Sequence, residues 1–344
     1  MSLRVVDLFA GGGGLSLGFQ NAGFDVVAAI ENWQPAIKVY EANFLGHPVM
    51  SMDLGDVQTS VREIRQWTPD VIMGGPPCQD FSSAGKRDES LGRASLTISY
   101  AQIIREVRPQ YFLMENVERA AKSKAFQQAL DVFKASGYGL TIKVMDASLC
   151  GVPQLRKRLI VLGALGEHDG FLDEALENNL SQEPMTLRRY FRNRLDFEHY
   201  YRHPRSYARR AIFSIDEPSP TIRGVNRPIP KGYPGHAGDA CALHENVRSL
   251  TTIERARIQT FPSNFKWVGT KTDSEQVIGN AVPVKLAEYV AKHFFQYIQT
   301  RQESELNSDA AVLRYQLFDK GAEDARRLAA SALKPKRRVK AAVS

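Results

Sequence analysis

The sequence predicts an α/β domain with a mostly parallel sheet, joined to a smaller lobe of different character. Short apolar runs that read as strands alternate with segments of helical periodicity, and this alternation is typical of βαβ units. A glycine-rich turn follows the first run. With 344 residues, the chain exceeds the ~100–200 residues of one ordinary domain, so we expect a second lobe beside the main domain. A chain of this length is not expected to be a fragment.

The strands and helices are assigned in chain order from these apolar patterns. The first strand is predicted at residues 3–9, and the turn at 11–14 leads into a helix over 15–22. Further strands are predicted at residues 25–30, 70–73, 110–114 and 159–162. Helices are predicted at residues 34–43, 61–66, 100–107 and 126–136. Each strand is followed by a helix or a turn, as a parallel sheet requires.

A change of character after about residue 170 marks the smaller lobe. Residues 187–213 interleave arginines with aromatics, and residues 217–238 are rich in Pro and Gly without a helical period. Helical patterning returns at 252–260 and 284–300. The predicted division is a first catalytic part at 1–181, an irregular β-rich lobe at 182–248, a returning catalytic segment at 249–300 and a helical or flexible basic tail at 301–344.

The composition indicates where in the cell the protein is expected and what kind of partner it binds. A formal net charge of +7 suits a partner made of phosphates. We find no signal peptide and no apolar run long enough to span a bilayer, so a cytoplasmic protein without membrane contact is expected. The three cysteines, Cys78, Cys150 and Cys241, form no CxxC pair, which argues against disulfides and zinc, and no metal is expected.

The glycine-rich turn predicts a nucleotide-like cofactor. Glycines let the backbone approach a ligand closely, and the helix N-terminus beyond the turn offers free N–H groups. The spacing Phe9-x-Gly11-x-Gly13-Gly14 differs from the dinucleotide fingerprint, and no P-loop lysine follows. S-adenosylmethionine is therefore favoured over the alternative, NAD.

Two acidic residues at predicted strand ends complete this pocket. Glu31 closes the second strand, where an acidic side chain can hydrogen-bond ribose hydroxyls. Asp53 lies where the third strand should end, and its carboxylate could accept a hydrogen bond from an adenine amino group. Together they predict an adenosine site.

The most informative stretch is Gly74-Gly-Pro-Pro-Cys78-Gln-Asp-Phe-Ser82. Two prolines stiffen the chain just before a cysteine at the carboxyl end of a strand, where α/β sheets bind their ligands. A lone cysteine is more often a small buried hydrophobe, as we expect for Cys150 and Cys241. The preceding Gly-Gly-Pro-Pro favours a reactive role for Cys78.

Several motifs, in their order along the chain, resemble the DNA (cytosine-5)-methyltransferase family of bacterial restriction-modification type. They are Asp7-Leu-Phe9-Ala-Gly-Gly-Gly-Gly14, Gly74-Gly-Pro-Pro-Cys78-Gln79, Glu115-Asn116-Val117, Gln154-Leu-Arg156-Lys-Arg158 and Gly279-Asn280. The resemblance covers about residues 5–286 apart from the small lobe. It implies the Rossmann-like class I fold of S-adenosylmethionine-dependent methyltransferases, a target recognition domain at 182–248, and double-stranded DNA as the partner.

The resemblance also implies a mechanism. The Cys78 thiolate adds to C6 of a flipped-out cytosine, which makes C5 nucleophilic toward the methyl group, and S-adenosylhomocysteine is the product. Glu115 contacts the N3 and amino edge of the base. Burial would raise the pKa of Glu115 and nearby arginines would lower it, and the sequence leaves both directions open. No residue declares itself as the base that removes the C5 proton, a task for which water would serve.

Arginines and a polar loop are assigned to the DNA side. Arg156 and Arg158 alternate on a presumed strand, which predicts that their side chains share a face, and by resemblance they orient the cytosine and its phosphates, with Arg158 nearer the base. The polar stretch 80–93 is expected to close over the flipped base. Thr221 is assigned to the backbone near that base, and Arg223 and Arg227 to sequence readout.

The remaining residues that the resemblance implies fall into two sets. The cofactor-binding set is Phe9, Gly11, Gly13, Gly14, Leu15, Glu31, Asn32, Asp53, Leu54, Pro76, Leu96, Asn280 and Ala281. The DNA-binding set is Gln79, Ser82, Ser83, Lys86, Gln154, Thr221, Arg223 and Arg227.

Two departures from the family pattern and two alternatives complete the prediction. Asn32 stands where many members carry an aromatic, and Arg93-Ala-Ser-Leu96 stands where Arg-Gly-x-Leu is frequent. A tRNA cytosine-5 methyltransferase would carry a Cys-Phe-Thr motif, which is absent. A silent DNA-binding homologue would lack Cys78 or Glu115, and both are present. A monomer is expected, and the recognition sequence is left open because it depends on which side chains reach the groove.

Overall fold

The computed structural model describes residues 2–77, 94–206 and 208–304. Cys78, Gln79, Ser82, Ser83 and Lys86 lie outside the described residues, as do the predicted loop at 80–93 and the tail beyond residue 304. The chain divides into a main unit, Met1–Phe295, and a second unit that begins at Gln296. The described part of the second unit, residues 296–304, is helical.

A seven-stranded sheet in the order β3-β2-β1-β4-β5-β8-β6 forms the centre of the main unit. Its strands are β1 (Arg4–Leu8), β2 (Asp25–Glu31), β3 (Val49–Ser51), β4 (Val71–Gly74), β5 (Tyr111–Val117), β6 (Tyr138–Asp146) and β8 (Lys157–Leu165). Strand β8 runs antiparallel to β5 and β6, and the pairs from β3 through β5 are parallel. The strand order reverses between β1 and β4, and open α/β sheets bind ligands at such a point.

Helices cover this sheet. The longer ones are α1 (Gly14–Asn21), α2 (Gln34–Asn43), α3 (Val57–Arg65), α4 (Ala94–Val107) and α5 (Lys124–Ala135). Side chains cap two of them: Asp56 accepts a hydrogen bond from the Thr59 N–H at the start of α3, and Ser123 accepts one from Phe126 at the start of α5. Strands β4 and β5 are almost wholly buried, as expected for strands that are covered on both faces.

The second half of the chain is made of shorter elements. Its helices are α6 (Asp173–Asn178), α7 (Leu187–Phe191), α8 (Thr252–Ile258), α9 (Lys271–Asn280) and a helical segment at 284–295, with 3-10 turns at Glu118–Lys122, Ala147–Cys150 and Arg192–Arg194. Capping boxes begin α8 and α9: Thr251 pairs with Glu254, and Thr270 with Asp273.

The smaller lobe is built on a three-stranded sheet in the order β10-β9-β12. Its strands are β9 (His199–Tyr201), β10 (Ile212–Ser214) and β12 (Arg248–Ser249), and a separate pair joins β11 (Ser219–Pro220) to β7 (Gln154–Leu155) in parallel. Aromatic residues of the lobe such as Tyr200 and Phe213 share one buried cluster with Ala256, Ile258 and Ile278 of α8 and α9. The lobe therefore packs on the returning helices, and the proposed domain boundaries stay a prediction.

Candidate active site

The segment that leads to Cys78 runs beside Glu115. Strand β4 ends at Gly74, which pairs with Met114 of β5, so residues 75–77 leave the sheet next to the end of β5. A side chain at Gly75 would lie 3.1 Å from Oε2 of Glu115, and the Asn116 amide donates to the Pro76 carbonyl at 3.4 Å. The described segment 75–77, which precedes Cys78 in the sequence, therefore runs alongside the candidate acid Glu115.

A buried ion pair joins Glu115 to Arg158. Nε of Arg158 lies 2.7 Å from Oε1 of Glu115, and only 11% of the Glu115 side chain and 12% of the Arg158 side chain are exposed. Burial raises the pKa of Glu115 above its ordinary value, although Arg158 and then Arg156 pull it down. Of the two directions that the sequence leaves open, burial prevails. A raised pKa favours a carboxyl that can hold and donate a proton.

Arg156 has different partners, which the alternating spacing does not predict. Its guanidinium is buried and donates to three backbone carbonyls, those of Ile222 at 3.1 Å, Gly279 at 3.1 Å and Ala281 at 3.0 Å. Burial, followed by the charge of Arg158, lowers the pKa of Arg156 well below its ordinary value. This geometry favours a positioning role for Arg156, while Arg158 remains beside Glu115.

Gln154, which the sequence assigns to DNA contact, lies inside the protein. Its side chain is fully buried. Its Nε2 donates to Oε1 of Gln259 at 2.7 Å, and its Oε1 accepts from the Ile222 N–H at 2.7 Å. These bonds fix the segment that carries Thr221 and Arg223, and the predicted contact with DNA stays a prediction.

Gln259 and Asp7 are site residues that the sequence analysis did not single out. Gln259 is fully buried and also donates to the carbonyls of Ile278 at 2.6 Å and Ala281 at 3.2 Å, so it joins β7 to α9. No local pattern marks it, because its partners are distant in sequence. Asp7 is fully buried at the end of β1, and burial raises its pKa to about 7 despite a 2.6 Å hydrogen bond from the Ser16 hydroxyl. Its place in the first motif was the available signal.

A basic cavity of about 740 Å³ opens beside Arg158. Thr221 and Arg223, which the sequence assigns to the DNA side, line this cavity, and Arg227 is exposed but does not line it. The Thr221 hydroxyl donates to the Leu155 carbonyl at 2.8 Å, which holds this segment against β7. The other basic side chains of the lining are Arg119, Lys157, Arg202, Arg205, Arg209 and Arg210. Such a concentration of positive charge is suited to a polyanion.

The predicted cofactor residues meet at the carboxyl ends of β1 to β4. Glu31 organises the turn after β1: its Oε2 accepts from the Gly11 N–H, and its Oε1 accepts from the N–H groups of Asn32 and Trp33, each at 2.8 Å. A carboxylate has about four lone-pair sites, so one acceptor position remains for a ligand hydroxyl. Space is open beside Gly11, where an added side chain would meet nothing within 4 Å.

Close packing explains the other glycines of the turn. A side chain at Gly13 would lie 2.2 Å from the Phe44 ring, and one at Gly14 would lie 2.2 Å from the Val282 carbonyl. The second contact brings the start of α1 against the segment that follows Asn280 and Ala281. Gly13 also has a positive φ of 84°, which glycine adopts without strain.

The rest of the predicted cofactor set follows the ends of strands or lies on and beside α1, α4 and α9. Asp53 follows β3 and is exposed, and its Oδ1 accepts from the Gly55 N–H at 2.9 Å. Since Glu31 pairs with Ser51 across β2 and β3, the two acidic residues lie near each other at one edge of the sheet. Phe9 and Leu96 are half-buried, Leu15, Leu54, Pro76 and Ala281 are buried, and Asn32 and Asn280 are exposed.

The fold and this site define a methyltransferase-like α/β enzyme, and comparisons with known proteins agree. Two solved structures share the fold: the S. pombe Dnmt2 methyltransferase, with a TM-score of 0.66, 21% identity and coverage of 87% of this chain and 99% of that one, and the Entamoeba histolytica methyltransferase EhMeth, with a TM-score of 0.62, 18% identity and coverage of 87% and 99%. The predicted Rossmann-like class I fold is confirmed.

Sequence comparisons identify the family. The family model for C-5 cytosine-specific DNA methylases matches residues 3–296. Type II methyltransferase M.HindV of Haemophilus influenzae is 56% identical over 86% of this chain and 97% of its own length. Type II methyltransferase M.HgiDI of Herpetosiphon aurantiacus is 52% identical over 89% and 98%. The chain belongs to the C-5 cytosine-specific DNA methylase family.

The predicted family and enzyme class are thereby confirmed: the protein is a DNA (cytosine-5)-methyltransferase, and its family implies a DNA substrate and a methyl donor. No helix among the described residues is long and apolar enough to cross a membrane. Among the alternatives weighed on the sequence, the family match favours DNA over tRNA.

Proposed function

We propose that the protein methylates C5 of a cytosine within a specific double-stranded DNA sequence, with Cys78 as the nucleophile and S-adenosylmethionine as the methyl donor. The observation that carries this proposal is the buried pair of Glu115 and Arg158. The pair adjoins the segment that leads into Cys78 and the rim of the basic cavity. A proton donor and a cation thus lie beside the segment that precedes Cys78 in the sequence.

Glu115 supplies the proton-holding group of the proposed chemistry. As the Cys78 sulfur bonds to C6, electron density moves toward N3, and a protonated Glu115 donates its hydrogen bond or proton there. Arg158 holds the carboxyl in place and limits how far burial raises its pKa. After methylation at C5, the C5 proton leaves to water, the C6–S bond breaks and the thiolate is restored.

The turn after β1 is suited to the proposed donor. S-adenosylmethionine supplies an electrophilic methyl group on a sulfonium sulfur. The remaining lone pair of Glu31 accepts from the ribose, the exposed Asp53 carboxylate accepts from the adenine amino group, and the space beside Gly11 admits the ligand against the backbone. These donor and acceptor types fit adenosine, and the other predicted cofactor residues are proposed as the walls of the same pocket.

The DNA side is proposed to be the basic cavity and the lobe around it. Its arginines neutralise phosphates, and extrusion of the cytosine costs a few kcal/mol, which such contacts offset. Arg156 and Gln154 act as positioning residues that hold Thr221 and Arg223 at this surface. Arg223 is half-buried, and burial followed by the charge of Arg205 lowers its pKa. Its guanidinium is therefore already partly desolvated before it contacts a base edge.

The wider setting of the enzyme is also a proposal. Two relatives are named Type II methyltransferases, so we infer that this enzyme serves in a restriction-modification system in the bacterial cytoplasm or nucleoid. Residues 182–248 act as the target recognition domain, and the protein works as a monomer. The base-flipping loop is assigned to residues 80–93, with Gln79, Ser82, Ser83 and Lys86 contacting DNA.

The test is transfer of labelled methyl groups from S-adenosylmethionine to plasmid DNA, followed by bisulfite sequencing. We expect label at C5 of cytosines within one recurring sequence, and a loss of at least ~10³-fold in Cys78→Ala. Cys150→Ser is the matched control, because that thiol is buried and burial raises its pKa to about 12. Label in tRNA alone, or unchanged transfer by Cys78→Ala, would contradict the proposal.

The covalent step has a separate test. With S-adenosylmethionine present, a duplex with 5-fluorocytosine at the target should be methylated at C5, where fluorine replaces the proton that must leave. Elimination is then blocked, so the adduct with Cys78 should persist through a denaturing gel as one slower band. Wild type and Cys150→Ser should form it, whereas Cys78→Ala should not. An adduct that forms without Cys78 would show that another nucleophile reacts.

A further inference from the structure

Two histidines and a cysteine that do not line the basic cavity meet in the small lobe. His199 begins β9, and Cys241 and His244 belong to the loop that precedes β12. One ligand atom from each residue lies within 4.8 Å of the other two. His199 and Cys241 are half-buried, and His244 is exposed. On the sequence alone, the absence of a CxxC pair argues against a zinc site. The fold, however, brings imidazoles to Cys241 from two separate positions in the chain.

The small sheet holds both halves of this cluster. His199 pairs with Ser214 across β9 and β10. The loop is tied to the start of β10, because the Ala240 N–H donates to the Ile212 carbonyl at 3.1 Å. Asp239 reinforces that tie by accepting from the Ile212 N–H at 3.0 Å. The three side chains are therefore attached to one framework before any ligand arrives.

We infer that His199, Cys241 and His244 bind a zinc ion that fastens the 241–244 loop to β9. One thiolate and two imidazoles are a ligand set that zinc prefers, and a water molecule completes four-coordination. Tetrahedral bonds of ~2.3 Å to sulfur and ~2.0–2.1 Å to nitrogen place the ligand atoms ~3.3–3.6 Å apart. The side chains must close by about 1 Å, which exposed His244 can do. On binding, the Cys241 thiol releases its proton to solvent.

Burial and the nearby charge of Asp239 raise the pKa of the Cys241 thiol. The same negative charge attracts a cation, and a bound metal displaces the thiol proton. Nδ1 of His244 accepts a 3.3 Å hydrogen bond from the Asn246 N–H, so a metal on that nitrogen replaces only a long bond. None of the three ligands lines the basic cavity. The zinc would consequently order the small lobe and leave the reaction chemistry to Glu115 and Cys78.

Metal content of the full-length protein tests the site directly. Protein refolded or dialysed with zinc and then freed of excess should hold one zinc ion per chain, and Cys241→Ser and His244→Ala should lose it. His168→Ala changes an exposed histidine outside the small lobe; it is the matched control and should keep the zinc. Zinc should also raise the thermal unfolding temperature of wild type and of His168→Ala only, because it binds the folded state.

Cobalt provides a probe of the ligands themselves. Wild type titrated with Co²⁺ should develop the near-ultraviolet charge-transfer band of a cobalt–thiolate bond, and Cys241→Ser should not, while circular dichroism shows that the variant is folded. Substoichiometric zinc in wild type would overturn the inference. So would a cobalt band that persists in Cys241→Ser but vanishes in Cys78→Ser, since the metal would then lie on the candidate nucleophile. Neither readout depends on methyl transfer.

Discussion

Removal of the cation beside Glu115 should make the stability of the protein depend on pH. In Arg158→Met the side chain keeps much of its volume, but the Glu115 carboxyl loses the partner that lies 2.7 Å away. Breaking a buried ion pair by deleting one member costs ~3–5 kcal/mol when the other must stay charged. Glu115 can avoid part of that cost by taking up a proton, so its pKa should rise further.

The sign of the pH dependence follows from this shift. The unfolded chain ionises Glu115 near its ordinary pKa, whereas the folded variant keeps the proton to higher pH. Stability is therefore fully present at low pH and is lost as pH rises toward the folded pKa, at up to ~1.4 kcal/mol per pH unit. Between about pH 5.5 and about pH 7.5, Arg158→Met should lose up to ~3 kcal/mol more than wild type.

Urea unfolding at the two pH values measures this difference. Glu115→Gln removes the titrating group, so the double variant Glu115→Gln/Arg158→Met should lack the extra pH slope and recover part of the stability at the higher pH. Methyl transfer need not be measured. An equal loss in Arg158→Met at both pH values, or the same slope in the double variant, would refute the argument that burial and Arg158 jointly set the protonation of Glu115.

Three further substitutions test other parts of the site. Asp7 is buried with a pKa raised to about 7, so its contribution to stability is lost as pH rises from about 4 to about 7. Asp7→Asn should remove up to ~3–4 kcal/mol of that pH dependence in urea titrations. An unchanged pH profile would contradict the raised pKa. Gly279→Ala would place a methyl group 2.2 Å from the Gly224 backbone nitrogen. A cost of ~1–3 kcal/mol should appear as a lower unfolding temperature together with weaker DNA binding. An unfolding temperature and a DNA affinity equal to those of wild type would show that the segment around Gly224 moves freely. Arg156→Met removes the guanidinium donor from three buried carbonyls, of which that of Ala281 keeps only the 3.2 Å bond from Gln259. A loss below ~1 kcal/mol in urea unfolding would contradict the role of these bonds in holding the lobe.

Part of the fold was visible in local patterns and part was not. The strands predicted near residues 25–30 and 110–114 are β2 and β5, because buried parallel strands read as apolar runs. Strand β6 was not predicted: it lies at the edge of the sheet, and its second half includes two exposed apolar residues, Ile142 and Val144. Helix α9 was not predicted either. It has few apolar residues and is started by the capping box of Thr270 and Asp273.

The sequence by itself determined the family, the class of reaction and the candidate nucleophile, because ordered motifs such as Gly74-Gly-Pro-Pro-Cys78 and Glu115-Asn116-Val117 are local and can be read along the chain. Only the tertiary structure decided that burial raises the pKa of Glu115, and that Arg156 and Gln154 serve the small lobe from inside the protein. The physical reason is the same in each case. A pKa and a hydrogen-bond partner depend on groups that are distant in sequence, and folding alone brings those groups together.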